Sequence, residues 1–299
     1  MSSAEATQGK LEELRDAVRA RLGLRPRQPK DTYPYYRHSI PVRLLHWVNA
    51  VCMAMMLLTG LQIFNAHPAL YWGSSADFDH PILSMKAAGT AEHYWGVTQI
   101  GPWTFNTDGI FGVSDTDGVK TVRGFPEWAT YPGVSPNLAQ GRLWHFFFAW
   151  LLVLNGLAYF AWVFFTGHFR RELLPTKQNL KDLPHEIVTH AQLKFPAGEA
   201  AKHYNGLQKL SYFVVLFIFG PLIVLTGLTM SPTMDSAFPV LLWVFGGRQS
   251  ARTIHFILAF SFLGFFIVHM LALLLSHPVN GLRSMITGRF AIEKDGADA

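Results

Sequence analysis

Charge is scarce along this chain. Only 15% of its 299 residues are Asp, Glu, Lys or Arg, against about 25% in soluble domains. Cysteine is nearly absent. The single thiol, Cys52, excludes an internal disulfide and a thiolate-held metal cluster, and its place inside an apolar run marks it as packing. No basic stripe is present either. The net charge of +5 comes from Lys and Arg that flank apolar segments, which excludes nucleic acid as the partner. Residues 1–38 are polar and basic with no apolar core, so they are not expected to act as a cleavable signal peptide.

What the chain has instead is apolar length. Half of its residues are hydrophobic and 14% are aromatic. A helix needs about 20 apolar residues to cross a bilayer core. Four segments are long enough: Pro41–Phe64, Leu143–Thr166, Leu207–Met230 and Thr253–Ser276. The fold class expected is therefore an all-α membrane protein, a four-transmembrane-helix bundle.

Lys and Arg set the orientation. They crowd the N-terminal segment and the loop between the second and third spans. The first loop, about residues 66–140, holds only Lys86, Lys120 and Arg123. Both termini are therefore expected on the cytoplasmic side, with the first and third loops outside. Residues 1–37 read as a cytoplasmic extension, in which Leu11, Leu14, Val18 and Leu22 stand at helical spacing. Residues 38–290 read as the four-span domain and 291–299 as a cytoplasmic tail. The first loop is too long for a mere connector. Its Trp72, Trp95, Trp103 and Trp128, with many Gly and Pro residues, suggest a folded cap.

Two internal echoes occur. Leu58-Thr59-Gly60-Leu61 recurs as Leu225-Thr226-Gly227-Leu228, at the outer ends of the first and third spans. Arg142-Leu-Trp-His145-Phe146 recurs as Arg252-Thr-Ile-His255-Phe256, at the openings of the second and fourth.

Ionisable side chains within a bilayer are costly and usually functional. Four histidines fall there: His46, His145, His255 and His269. Fourteen residues separate the last two, a rise of about 21 Å that returns within about 40° of the same helix face. His145 and His255 share the outer level, and His46 and His269 the inner one. Two imidazoles facing across a bundle core suit the axial positions of a haem. A proton relay and interhelical hydrogen bonding are the simpler readings, but they do not account for two matched depths. Zinc would want three or four ligands at one level, where each level here offers two. Arg43, Arg142 and Arg252 each stand three residues before a histidine, on the same helix face, where they could meet haem propionates.

At these residues the sequence resembles the bacterial cytochrome b561 and nickel–iron hydrogenase b-type cytochrome superfamily, nearest to its thiosulfate-reductase-type cytochrome b subunits. The stretch Arg37-His38-Ser-Ile-Pro-Val-Arg43-Leu-Leu-His46-Trp47 is similar to its opening motif. So are the fourth span, with histidines 14 apart, and Gly281-Leu-Arg-Ser-Met-Ile-Thr-Gly288. The likeness covers about residues 35–290. It implies two haem b groups with His46, His145, His255 and His269 as iron ligands, a quinone site, and a partner oxidoreductase subunit, often periplasmic. The function expected is an electron-transfer subunit in the bacterial inner membrane, linking a quinone pool to a partner docked on the first loop. Arg37, His38 and His277 are the quinone-site candidates at the cytoplasmic boundary. A stand-alone oxidoreductase of the superoxide-oxidase or ferric-reductase type, and a histidine-gated transporter, are the competing readings.

Overall fold

A computed structural model describes residues 32–131, 137–192, 198–276 and 278–293. His277, the N-terminal helical pattern around Leu11 and the last six residues lie outside the described residues.

Four helices are long and apolar enough to cross a membrane: Ile40–Phe64, Leu138–Phe165, Gly198–Thr229 and Arg248–Leu275. The first is α1 and the second α2. The third is built from α4 (Gly206–Phe213), a π-helical stretch at Val214–Phe219 and α5 (Gly220–Thr229). Pro221 has no N–H to offer the preceding turn, and the wider turn just before it accommodates that loss. The fourth is α8 (Arg248–Leu275). The second and fourth spans begin five residues earlier than hydropathy indicates. Asn137 caps α2, its side chain accepting from the amide of Gln140 at 3.0 Å, so Arg142 and His145 lie on one continuous helix.

The spans expose apolar faces that only lipid would tolerate as a belt. Leu44, Val51, Leu143, Trp150, Leu157, Phe165 and Val268 are all more than half exposed. The few buried positions of the spans include polar side chains. Asn155 in mid-span donates to the carbonyl of Leu45 at 3.0 Å, tying the second span to the first.

A short helix, α3 (Lys177–Ala191), lies between the second and third spans. Glu186 on α3 accepts from the amides of Gly206 and Leu207 at 3.0 and 2.6 Å. It thereby fills two of the orphan donors at the start of α4, where a carboxylate is favoured by the helix dipole.

The first loop folds as a β cap, strand content that its sequence did not announce. Strands β2 (Ala69–Leu70), β3 (Leu83–Gly89), β4 (Tyr94–Ile100) and β5 (Trp103–Asn106) form an antiparallel sheet in sequential order, and β6 (Gly112–Thr116) pairs with β7 (Val119–Arg123). Asp117 and Gly118, both at positive φ, turn that hairpin, as the right-handed twist of two-residue turns requires. Gly112 sits at φ 83°, where a Cβ would meet the Lys86 carbonyl oxygen at 2.5 Å.

The cap is seated on the bundle by Phe64, Leu70, Met85 and Phe125, packed with Phe256 and Phe260 of α8. Asn65 exchanges two hydrogen bonds with the backbone of Phe125, at 2.7 and 3.1 Å. The Gly73 carbonyl accepts from the amides of Gln249 and Ser250 at 3.0 and 3.1 Å. The cap therefore satisfies the first turn of the fourth span. In the third loop, α6 (Pro232–Ala237) supplies Asp235, which pairs with Arg248 at the same helix start; α7 (Val240–Phe245) follows it.

At the opposite end, β1 (Thr32–Tyr36) pairs antiparallel with β8 (Arg289–Glu293), which follows α9 (Pro278–Thr287). The ordered fold thus takes in residues on both flanks of 38–290. β1 is not legible from hydropathy because its Tyr-Pro-Tyr-Tyr alternation has no apolar run.

Replacing Asn65 with Ala removes both of its hydrogen bonds to the cap. The expected loss is about 1–3 kcal/mol of stability. Limited proteolysis of the cap in reconstituted protein should accelerate while the spans stay intact.

Candidate functional site

The outer histidines meet. The rings of His145 and His255 have centroids 6.4 Å apart and planes inclined at 61°. An iron midway between them, about 2 Å from a nitrogen of each ring, would set the centroids about 6 Å apart, so the pair fits a haem.

Hydrogen-bond accounting says which nitrogen is available. The Nδ1 of His145 lies 2.9 Å from the Oγ1 of Thr59, and that of His255 lies 3.1 Å from the Oγ1 of Thr226. A hydroxyl has one proton to give. Thr59 gives its proton to the carbonyl of Met55 at 2.6 Å, and Thr226 to that of Leu222 at 2.8 Å. Each threonine is then an acceptor toward the ring. Both rings therefore carry the proton on Nδ1 and keep a bare lone pair on Nε2, the form that ligates a metal.

A glycine lies beside each ring edge. A Cβ at Gly60 would touch the Cε1 of His145 at 3.4 Å, and one at Gly227 would touch that of His255 at 3.4 Å. Thr59, Thr226 and the two glycines are functional residues that pattern reading did not select. Their signal was the Leu-Thr-Gly-Leu echo, whose meaning needed the partner helices.

The inner histidines, His46 and His269, lie near enough for their charges to interact. His269 stacks on Phe265 at 5.8 Å, and His46 stands edge-on to Trp47 at 5.4 Å. Among the described residues, no cluster of three or more His, Cys, Asp or Glu side chains forms a metal site.

The three arginines differ in placement. Arg252 donates to the carbonyls of Ala69, at 2.9 Å, and His67, bracing the cap. Arg43 donates to the carbonyl of Ile286, and Trp47 to that of Met285 at 3.1 Å, so the two hold the end of α9. Arg142 is exposed, with its guanidinium over Phe146 at 5.7 Å. Arg37 and His38 come together at the inner end. The guanidinium of Arg37 lies 5.6 Å from the Tyr204 ring centroid, and His38 stacks on that ring at 6.5 Å.

The family described as prokaryotic cytochrome b561 matches residues 37–288. The chain belongs to the prokaryotic cytochrome b561 family. Over 133 residues it is 33% identical to a protein of Azospira oryzae named as a candidate protein-methionine-sulfoxide reductase subunit, YedZ1. That match covers 42% of this chain and 61% of the relative, so the chain spans less than two thirds of that protein's length. No solved structure matches. As a cytochrome b561 family member, the chain is a multi-pass bacterial membrane protein and a b-type cytochrome. Membership implies haem b, and the His145–His255 pair has the donors and the spacing to hold it.

Burial, and next the charge of Arg37, lower the His38 pKa from 6.5 to about 4. Between those values the unfolded chain takes up a proton that the folded one refuses, so stability falls as pH drops from 6.5 toward 4. The slope contributed is at most about 1.4 kcal/mol per pH unit. Melting temperatures measured across this window should fall less steeply for His38→Gln than for the parent.

Proposed function

We propose that this chain is the two-haem, quinone-linked cytochrome b subunit of an oxidoreductase complex whose catalytic partner docks on the β cap. The observation that carries the reading is the outer pair. Two half-buried imidazoles from different spans, each with its Nδ1 against a threonine hydroxyl, are spaced for one iron between them. Bound haem supplies one-electron chemistry whose potential the protein sets through ligation, burial and nearby charge.

His145 and His255 would hold one group at the level of the cap. His46 and His269 would hold a second toward the β1–β8 end, about 21 Å away along the fourth span. Residues 38–290 then form the di-haem domain. Arg142, one turn nearer the boundary than His145, is placed to meet a propionate. Arg43 and Arg252 have further N–H groups to offer one beyond those given to backbone carbonyls. Arg37 and His38, beside Tyr204, are the groups that would bind and protonate a quinone head at the inner end; His277 completes the set of candidates.

The charge pattern supports a β1–β8 end in the cytoplasm and a cap outside the inner membrane. The cap offers exposed aromatic surface at Trp72, Trp103 and Trp128, of the kind that anchors protein partners. The likeness to a reductase subunit supports an oxidoreductase as that partner. Its name makes a reductase of protein methionine sulfoxide the first one to test.

Purified protein should show sharp reduced bands and two haems per chain. His269→Ala should lose one haem and keep the outer one, and His145→Ala should do the converse. A colourless preparation, or a His269→Ala protein that keeps two low-spin haems, would refute the reading. Copurification of a periplasmic oxidoreductase tests the partner.

A further inference from the structure

The Leu-Thr-Gly-Leu echo has a structural counterpart at each copy. Thr59 and Thr226 are fully buried. Each bonds back to the carbonyl four residues earlier, and each accepts from the Nδ1 of a histidine on a neighbouring span. In both copies the carbonyl three residues before the threonine also lies within reach of its hydroxyl, at 3.4 and 3.1 Å. In both, the glycine that follows lies against the ring edge at the same 3.4 Å.

Threonine in an apolar helix commonly bonds back to the i−4 carbonyl with no further role. Here that bond leaves the hydroxyl only lone pairs to present to the ring. The same four-part contact arises on two helices that share no backbone, and its two target rings face each other.

We infer that Thr59-Gly60 and Thr226-Gly227 are a duplicated positioning device for the axial ligands of the outer site. The threonines fix the proton on Nδ1 and the rotation of each ring, and the glycines lie against the ring edges. Together they impose the steep 61° crossing of the two imidazole planes. The inference rests on the proposed haem between His145 and His255. An acceptor on Nδ1–H makes an imidazole a stronger donor to its metal, which favours oxidised iron and lowers the potential. The inner pair has no such device, as neither His46 nor His269 is hydrogen-bonded by a described side chain.

The test uses the full-length protein with Thr59→Val and Thr226→Val, which keep shape and remove the acceptor, and with Thr→Ser at each position, which restores it. Redox titration should show the outer haem alone shifted upward in each valine variant. The oxidised-to-reduced ratio at fixed poise should fall about threefold, or roughly 28 mV at 59 mV per decade for one electron. The oxidised low-spin EPR signal of that haem should change shape as the rings are released. Serine should return both properties toward the parent. Selective loss of the outer haem in the valine variants, with its retention in the serine variants, would support the inference equally. Full haem content with unmoved potential and line shape in both valine variants would overturn it, as would failure of serine to reverse a valine defect. A parent protein without low-spin haem would instead sink the haem reading itself.

Discussion

An imidazole in hydrocarbon must satisfy two nitrogens without water. That constraint organises this molecule. At the outer level each ring gives its Nδ1 proton to a buried threonine of a neighbouring span, so the remaining nitrogen has one use. The division of labour among the spans follows. The second and fourth carry the outer ligands, and the first and third carry the groups that orient them. A four-helix arrangement is the smallest that supplies both roles for both rings.

Much of this was legible in one dimension, because bilayer length and side-chain chemistry are local properties. Run length located the four spans, and ionisable residues within them located the histidines. The Arg-x-x-His spacing held because α2 and α8 continue through Arg142 and Arg252. Other features were not local. The cap strands are short and depend on glycines such as Gly112 and Gly118, whose positive φ is a demand of the folded partner strand or turn. Thr59 and Thr226 looked like an echo and nothing more, since a threonine reveals what it touches only once the helices are paired. Arg252 and Arg43 looked like boundary charges. They also tie chain segments together, through the carbonyls of His67, Ala69 and Ile286.

The two ends of the bundle are held in different ways. The outer end is stitched by hydrogen bonds from helix ends into the cap: Asn65 to Phe125, Gly73 to the start of α8, and Thr253 to the carbonyl of Tyr71 at 2.7 Å. The inner end adds cation and aromatic contacts to the β1–β8 ladder and the hydrogen bonds of Arg43 and Trp47. Arg37 lies over Phe290 and Tyr204, and Lys202 over Tyr33 and Tyr35. A partner that binds the cap meets a surface set rigidly against the outer histidine pair. A small molecule arriving from the inner side meets guanidinium, imidazole and phenol groups at the boundary.

The pairing of β1 with β8 has a topological consequence. It brings the two extremities of the four-span domain side by side at one end of the bundle, the arrangement that tolerates circular permutation. A short bridge could join Thr32 to Glu293, and new ends could be opened in a connecting loop, with the helices still inserted in the same spatial order. A module appended beyond either strand would emerge at the same place, beside the inner histidines and far from the cap.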